Sequence, residues 1–141
     1  MIIETTRFSK IEIKKEEIIY FPEGIIGFSN FKHYFIVERE EDKPFKWLQS
    51  LDNSDLAFVI VNPLFFYPCY KVKISSKDST LLKLKDEKEG KVFVLVVIPE
   101  DPSCTRANLL APLVINATKK IGKQIILEDS GYPLQYELLK K

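Results

Sequence analysis

Few residues in this 141-residue sequence are of a type and spacing that could make or break bonds. His33 is the only histidine. That alone removes most zinc sites and leaves any histidine relay resting on one ring. Cys69 and Cys104 lie far apart and neither belongs to a C-x-x-C pair, so metal and redox motifs of that kind are missing. Both read as small, partly buried hydrophobes. A Cys104–His33 nucleophilic pair would need the two within roughly 3 Å, which sequence leaves open. Glu38, Glu40, Glu41 and Asp42 crowd around Arg39 just before Pro44. The run reads as a solvated acidic loop, not as a general acid and base held in a dry pocket. The chain is therefore expected to be non-enzymatic, with no cofactor and no metal.

The glycine pair in Phe21-Pro22-Glu23-Gly24-Ile25-Ile26-Gly27-Phe28 has the G-x-x-G form with which KH domains clamp a nucleic-acid backbone. That loop joins two helices and carries basic residues, whereas here Glu23 precedes the pair and strand-like segments flank it. No G-x-G-x-x-G or P-loop occurs either. The stretch predicts a turn in which Gly24 and Gly27 supply positive φ or close backbone approach, with Phe21 and Phe28 as anchors in the core.

Two further features could serve a partner. Leu64-Phe65-Phe66-Tyr67-Pro68 sets three aromatics in a row, and Lys71–Lys91 holds seven lysines against four acids. Aromatics stack on single-stranded nucleic acid when basic residues are interleaved with them, and here they are not. The same cluster suits protein contact, because Phe and Tyr give large apolar area at low entropy cost, or it belongs to the core. The lysine bias is a weak electrostatic face or a solvated edge that discourages sheet-to-sheet pairing.

With 21 basic and 20 acidic residues the formal charge is +1, and nothing in it demands nucleic acid or an acidic membrane. The 45% hydrophobic content suits a globular chain, and its length suits one domain over residues 1–141. Folding should remove roughly 16,000 Å² from water, enough for a core without staples. The longest apolar run, Val92–Ile98, is far shorter than the ~20 residues that span a bilayer. No basic stretch followed by an apolar run opens the chain, and cysteines are few. The expectation is a cytoplasmic protein with reduced thiols.

The apolar residues come in short bursts rich in Val, Ile, Phe and Tyr, without the spacing of an amphipathic helix. Strands are expected at Ile2–Thr6, Ile11–Ile13, Ile18–Phe21, Tyr34–Val37, Phe45–Leu51, Leu56–Val61, Val72–Ile74, Val92–Ile98, Leu109–Ile115 and Ile125–Leu127. Leu56–Val61 and Val92–Ile98 are apolar throughout and should be covered on both faces. Lys71-Val72-Lys73-Ile74 alternates and suits an outer strand. Ser76–Lys85 is the place for a short helix, with Ser76, Asp78 or Ser79 as its cap, and a strand stays open there because Leu82 and Leu84 also fit period two. Pro112 cannot donate to a ladder, so its strand should be bulged or unpaired there. Leu138–Lys141 should fray. The fold class is mainly β: a small antiparallel barrel or barrel-like sandwich with one or two short helices.

Several segments, taken in order, resemble the flagellar assembly factor FliW family. They are Phe21–Phe28, then Pro44-Phe45-Lys46-Trp47-Leu48-Gln49-Ser50-Leu51-Asp52 with Leu56-Ala57-Phe58-Val59, then Asn62-Pro63 and Pro68-Cys69-Tyr70. Asn108-Leu109-Leu110-Ala111-Pro112-Leu113-Val114-Ile115-Asn116 and Gly122-Lys123-Gln124 complete the pattern. Asn62, Cys69, Ser54 and Arg106 depart from the residues more common in that family. The resemblance implies a barrel-like domain that binds flagellin in the cytoplasm. It also implies binding to CsrA, a dimeric RNA-binding repressor of flagellin translation, once flagellin has been exported. Gly24, Gly27, Phe28, Gln49, Ser50, Asn108, Pro112 and Asn116 are then a structural signature. Gln49, Ser50, Asn108 and Asn116 would need hydrogen-bond partners wherever they are buried. Phe65, Phe66, Tyr67, Lys71 and Lys73 are the candidate partner contacts. A β-barrel that binds single-stranded nucleic acid is the alternative from another class.

Overall fold

The structure, a computed structural model, describes residues 1–138. Of the frayed end expected at Leu138–Lys141, residues 139–141 lie outside the described residues, whereas Leu138 is held, its N–H donating to the Thr105 carbonyl at 3.0 Å and its side chain packed on the outer core. Short β-rich bursts become strands β1 (Ile2–Thr5), β2 (Ser9–Glu12), β3 (Ile19–Tyr20), β4 (His33–Val37), β5 (Lys46–Ser50) and β6 (Ala57–Val61). A helix, α1 (Ser76–Leu81), follows, and then β7 (Gly90–Val97), β8 (Arg106–Ala107), β9 (Leu113–Asn116), β10 (Ile121–Gln124) and β11 (Tyr136–Glu137). Strands β7-β6-β5-β4-β3-β10-β9 run in hydrogen-bonded order, and β9 pairs back onto β7, so seven strands close a barrel. The ring is antiparallel except at one seam, where β10 runs parallel to β3 through Ile121 and Tyr20. Closure matters because a ring leaves no exposed edge along most of its length.

Strand alternation sends residues to two sides of this wall. Ile19, Phe21, Ile25, Tyr34, Leu48, Ile60, Phe93, Leu113 and Ile115 form one buried cluster drawn from all round the ring, which is the barrel interior. Their neighbours face outward and are covered twice. The β1–β2 hairpin covers Phe35 and Val37, with Ile13, Phe8 and Trp47 in the contact. The excursion between β6 and β7, with the C-terminal segment, covers Val61, Val94, Val96 and Val114 through Tyr70, Leu82, Leu109, Ile125 and Leu127. Each fully buried aliphatic or aromatic side chain contributes about 1.5–3 kcal/mol, so both layers are needed.

β7 is the strand on which the ring turns. One edge pairs with β6 through Val94–Val96, while the other pairs with β9 through Gly90–Phe93 and with β8 through Val96 and Val97. β8 and β9 are thus one strand interrupted by a bulge at residues 108–112, where Pro112 sits unpaired in the ladder, as its missing N–H requires. The expected cover over Val92–Ile98 stops at Val96. Val97 and Ile98 are exposed, because β7 outruns the ring there and meets only two-residue β8.

Other expectations need correction. Lys71–Ile74 is not a strand: Val72 and Ile74 rest on the outer core as irregular chain while Lys71 and Lys73 face water. Ile125–Leu127 is also irregular, and its buried ends bond to the bulge instead, Ile125 N–H to the Pro112 carbonyl and Leu127 N–H to that of Leu110. The helix cap is Ser75, whose hydroxyl accepts from the Asp78 N–H at 3.1 Å, and the helix ends before Lys83, which has φ +56°. Both cysteines are exposed and not partly buried. Phe28 is exposed and rests edge-on against Phe58, so Phe21 and Ile25 are the core anchors of their loop.

Candidate partner-binding surfaces

Gly24 has φ +66°, and a Cβ there would lie 2.6 Å from the Ser29 Cα and 2.9 Å from its carbonyl oxygen. Only glycine fits that approach. Gly27 also has positive φ, +88°, but faces open space. Between them Ile25 enters the barrel and Ile26 projects into solvent, its N–H held by the Gln124 side-chain oxygen at 2.8 Å. The loop is thus fastened to β10. Lys123, next to Gln124, reaches Asp78 at the start of α1 and Glu23 at 3.8 Å. The hydrogen bond to Asp78 holds its ammonium above the usual lysine range.

The polar signature residues hold the wall and its bulge. Gln49 is fully buried, and its amide N–H groups reach the carbonyls of Ser50, Ser54 and Leu56. Ser50, also fully buried, accepts from the Asn53 N–H at 3.0 Å. Asn116 donates to the carbonyls of Leu82 and Lys83 and accepts from the N–H groups of Thr118 and Lys119, so it ties the end of α1 to the β9–β10 turn. Half-buried Asn108 accepts from Leu110 and Ala111, shaping the bulge that contains Pro112. Tyr70 donates to the Leu109 carbonyl at 2.6 Å, and burial together with Tyr132 pushes its phenol well above the usual range.

The aromatic run divides. Phe66 stacks on Tyr136, and Tyr67 sits edge-on against Tyr70, Tyr132 and Tyr136. Phe65 is 68% exposed and Leu64 54%. Phe65 lines the mouth of the barrel, whereas Lys71 and Lys73 line a separate depression beside Asp78 and Ile126. The five candidate contacts therefore flank the same excursion without sharing one hollow.

His33 has its Nδ1 3.3 Å from the Asp52 carboxylate and stacks on Tyr20. Burial pushes the Asp52 carboxyl up, but N–H donors from Lys32 and His33 outweigh it and hold the group below the usual carboxylate range. Cys104 has Asp101 as its polar neighbour, and no hydrogen bond joins it to His33. Among the described residues no group of three or more His, Cys, Asp or Glu side chains could hold a metal ion.

Sequence reasoning missed a cavity of about 560 Å³ at one end of the barrel. Buried Ile19, Phe93 and Ile115 form its floor, and Lys43, Lys46, Lys91 and Lys120 stand around it with Glu38 the only acid among the described residues. These lysines come from three separate parts of the chain, Lys43 with Lys46, Lys91, and Lys120, which the closed ring brings together.

Comparison with known proteins agrees with this architecture along the whole chain. The sequence model of the family described as FliW protein matches residues 2–138. The chain belongs to the FliW family. The flagellar assembly factor FliW of Caldicellulosiruptor saccharolyticus is 41% identical over 139 residues, covering 99% of this chain and 91% of that protein. That of Caldanaerobacter subterraneus subsp. tengcongensis is 42% identical over 142 residues, covering 100% and 95%. A crystal structure of the flagellar assembly factor FliW superposes with a TM-score of 0.93 at 31% identity, covering 100% of this chain and 99% of that one. The FliW barrel with its outer coverings is therefore the fold of this chain. Among the described residues no helix is long and apolar enough to cross a membrane.

Proposed function

We propose that this FliW-family chain is a non-enzymatic, single-domain flagellar assembly factor of the cytoplasm that switches between two protein partners. It binds flagellin, and when flagellin has been exported it binds and antagonises the translational repressor CsrA. The observation that carries the reading is the match to FliW along residues 2–138. Partner switching needs only two mutually exclusive binding equilibria, so neither a catalytic group nor a bound cofactor enters it. The surface offers suitable anchors: Phe65 is exposed beside Leu64, and Lys71 and Lys73 lie a few residues on. Large apolar side chains next to long charged ones are the usual makings of a contact centre and its rim.

Phe65, Phe66, Tyr67, Lys71 and Lys73 form the proposed contact region. Phe65→Ala combined with Lys71→Glu should weaken capture of flagellin or of the regulator in a pull-down with purified proteins. The thermal midpoint should hold, because neither side chain is buried. Unchanged capture of both partners would remove these residues from the contact.

A further inference from the structure

Strand β7 carries an edge that the ring leaves open. On the side facing β6, pairing runs from Val94 to Val96 and stops, because β6 ends at Val61 and the chain turns away at Asn62-Pro63. The turn that follows satisfies itself. Asn62 accepts from the Leu64 N–H through its side chain, and the N–H groups of Phe65, Phe66 and Tyr67 return to the carbonyls of Asn62 and Pro63. Pro63 has no N–H to offer. Gly90, Lys91 and Val92 therefore pair with β9 on one edge and have no backbone partner among the described residues on the other. Every second residue of a strand turns its N–H and C=O toward the same edge, so this segment presents ladder groups to whatever lies beside it.

Between it and the Pro63–Phe65 turn lie two hollows. The 560 Å³ cavity at the barrel mouth and a smaller one of about 220 Å³ share Asn62, Lys91 and Val92 as lining. The larger has a floor of Ile19, Phe93 and Ile115 and falls within the usual range for pockets that seat a ligand. Among the described residues its rim carries four lysines against one glutamate, a net +3, on a chain whose whole formal charge is +1. Lys46 is matched by Glu38 at 3.0 Å and Lys43 by Glu40 at 2.9 Å. Lys91 and Lys120 belong to no ion pair among the described residues.

We propose that the barrel mouth binds an extended acidic peptide, which adds a short strand to the open edge of Gly90–Val92. One large apolar side chain of the peptide seats against Ile19, Phe93 and Ile115, and its carboxylates lie against Lys91 and Lys120. Strand addition fits because main-chain bonds supply affinity while pockets for alternate side chains supply selection. Acidic character follows from the unmatched lysines, and the apolar anchor follows from the floor. The inference goes beyond partner switching and stands apart from it. A chain that binds flagellin or CsrA yet ignores the peptide would refute the mouth alone.

The test is fluorescence anisotropy on the full chain with a labelled peptide of about eight residues in which Glu alternates with Leu, a length that spans a typical strand. Saturable binding is expected that weakens with added salt, together with none to a peptide carrying Lys in place of each Glu. Lys91→Glu with Lys120→Glu should weaken it about tenfold, an exposed and a half-buried attraction having become repulsions. Lys91→Gln with Lys120→Gln should give a smaller loss in the same direction and serves if the reversal unfolds the chain. Methylating alternate peptide nitrogens should abolish binding. No binding, binding indifferent to the lysines, or equal binding of the methylated peptide would overturn the proposal. So would tighter binding of a short oligothymidylate than of the peptide, or self-association of the chain through the same lysines.

Discussion

Gly24 and Gly27 share positive φ, +66° and +88°, yet only Gly24 has atoms standing where a Cβ would go. Alanine at either position incurs the left-handed backbone penalty of about 1–2 kcal/mol. At Gly24 the new methyl also meets the Ser29 Cα at 2.6 Å and the Ser29 and Phe28 carbonyl oxygens at 2.9 and 3.0 Å. Those are backbone atoms, which cannot rotate aside, so a further 1–3 kcal/mol or so is expected for displacing the turn. Gly24→Ala should then cost about 2–5 kcal/mol and Gly27→Ala about 1–2. Urea unfolding reads the difference directly: with a slope near 2 kcal/mol per molar, the Gly24 variant should lose about 1–2.5 M of midpoint and the Gly27 variant about 0.5–1 M. Gly24→Val should be worse than Gly24→Ala, since a branched side chain tolerates positive φ poorly. Equal losses for the two alanines, or a loss at Gly24 below about 1 kcal/mol, would refute the close-approach reasoning.

Asn116→Ala removes a fully buried side chain with four backbone partners, and a loss of about 3 kcal/mol in urea unfolding is expected as the Leu82 and Lys83 carbonyls lose their donors. Tyr34 is fully buried with no partner for its hydroxyl, so Tyr34→Phe should be neutral or stabilising by up to about 1 kcal/mol. Burial, with the Asp52 charge, pushes the Tyr34 phenol up to about 12. Its contribution is complete below the unfolded value near 10 and falls as pH rises from there toward the folded one, so Tyr34→Phe should soften alkaline unfolding. Asp52 has the opposite sign. Its folded carboxyl lies below the usual range, so its contribution is complete above about pH 4 and is lost as pH falls through the folded value. The difference between the parent chain and Asp52→Asn in unfolding midpoint should therefore shrink between pH 6 and pH 2.

The central strands were legible because their composition and their burial coincide. β4, β6 and most of β7 are β-branched and aromatic, and the barrel interior covers one of their faces while the outer segments cover the other. Short strands were not. Ile121-Gly122-Lys123-Gln124 carries one apolar side chain, and it is strand β10 only because Gly122 lets the Phe21 ring approach; a Cβ there would lie 2.7 Å from that ring. β8 and β11 are two residues each, too short for any alternation to register. The false strand at Lys71–Ile74 shows the converse. Val72 and Ile74 alternate with lysines because they lean on the outer core, and no neighbouring chain completes a ladder. Gly24 could be read from type and flanks, since the demand is local. The basic mouth could not, because Lys43, Lys46, Lys91 and Lys120 become neighbours only after β9 closes onto β7.

A barrel closed on itself and covered by two outer segments has little room to reshape, so the proposed exchange of partners should happen at its surface. Free of partner-driven refolding, two proteins that use one surface must compete. The most direct measurement is a calorimetric titration of the purified chain with flagellin, with CsrA, and with CsrA after saturation by flagellin. Micromolar or tighter binding to each alone, with CsrA binding abolished by bound flagellin, is the predicted result. No binding to either partner at micromolar concentration, or undiminished CsrA binding to the flagellin-saturated chain, would contradict the account.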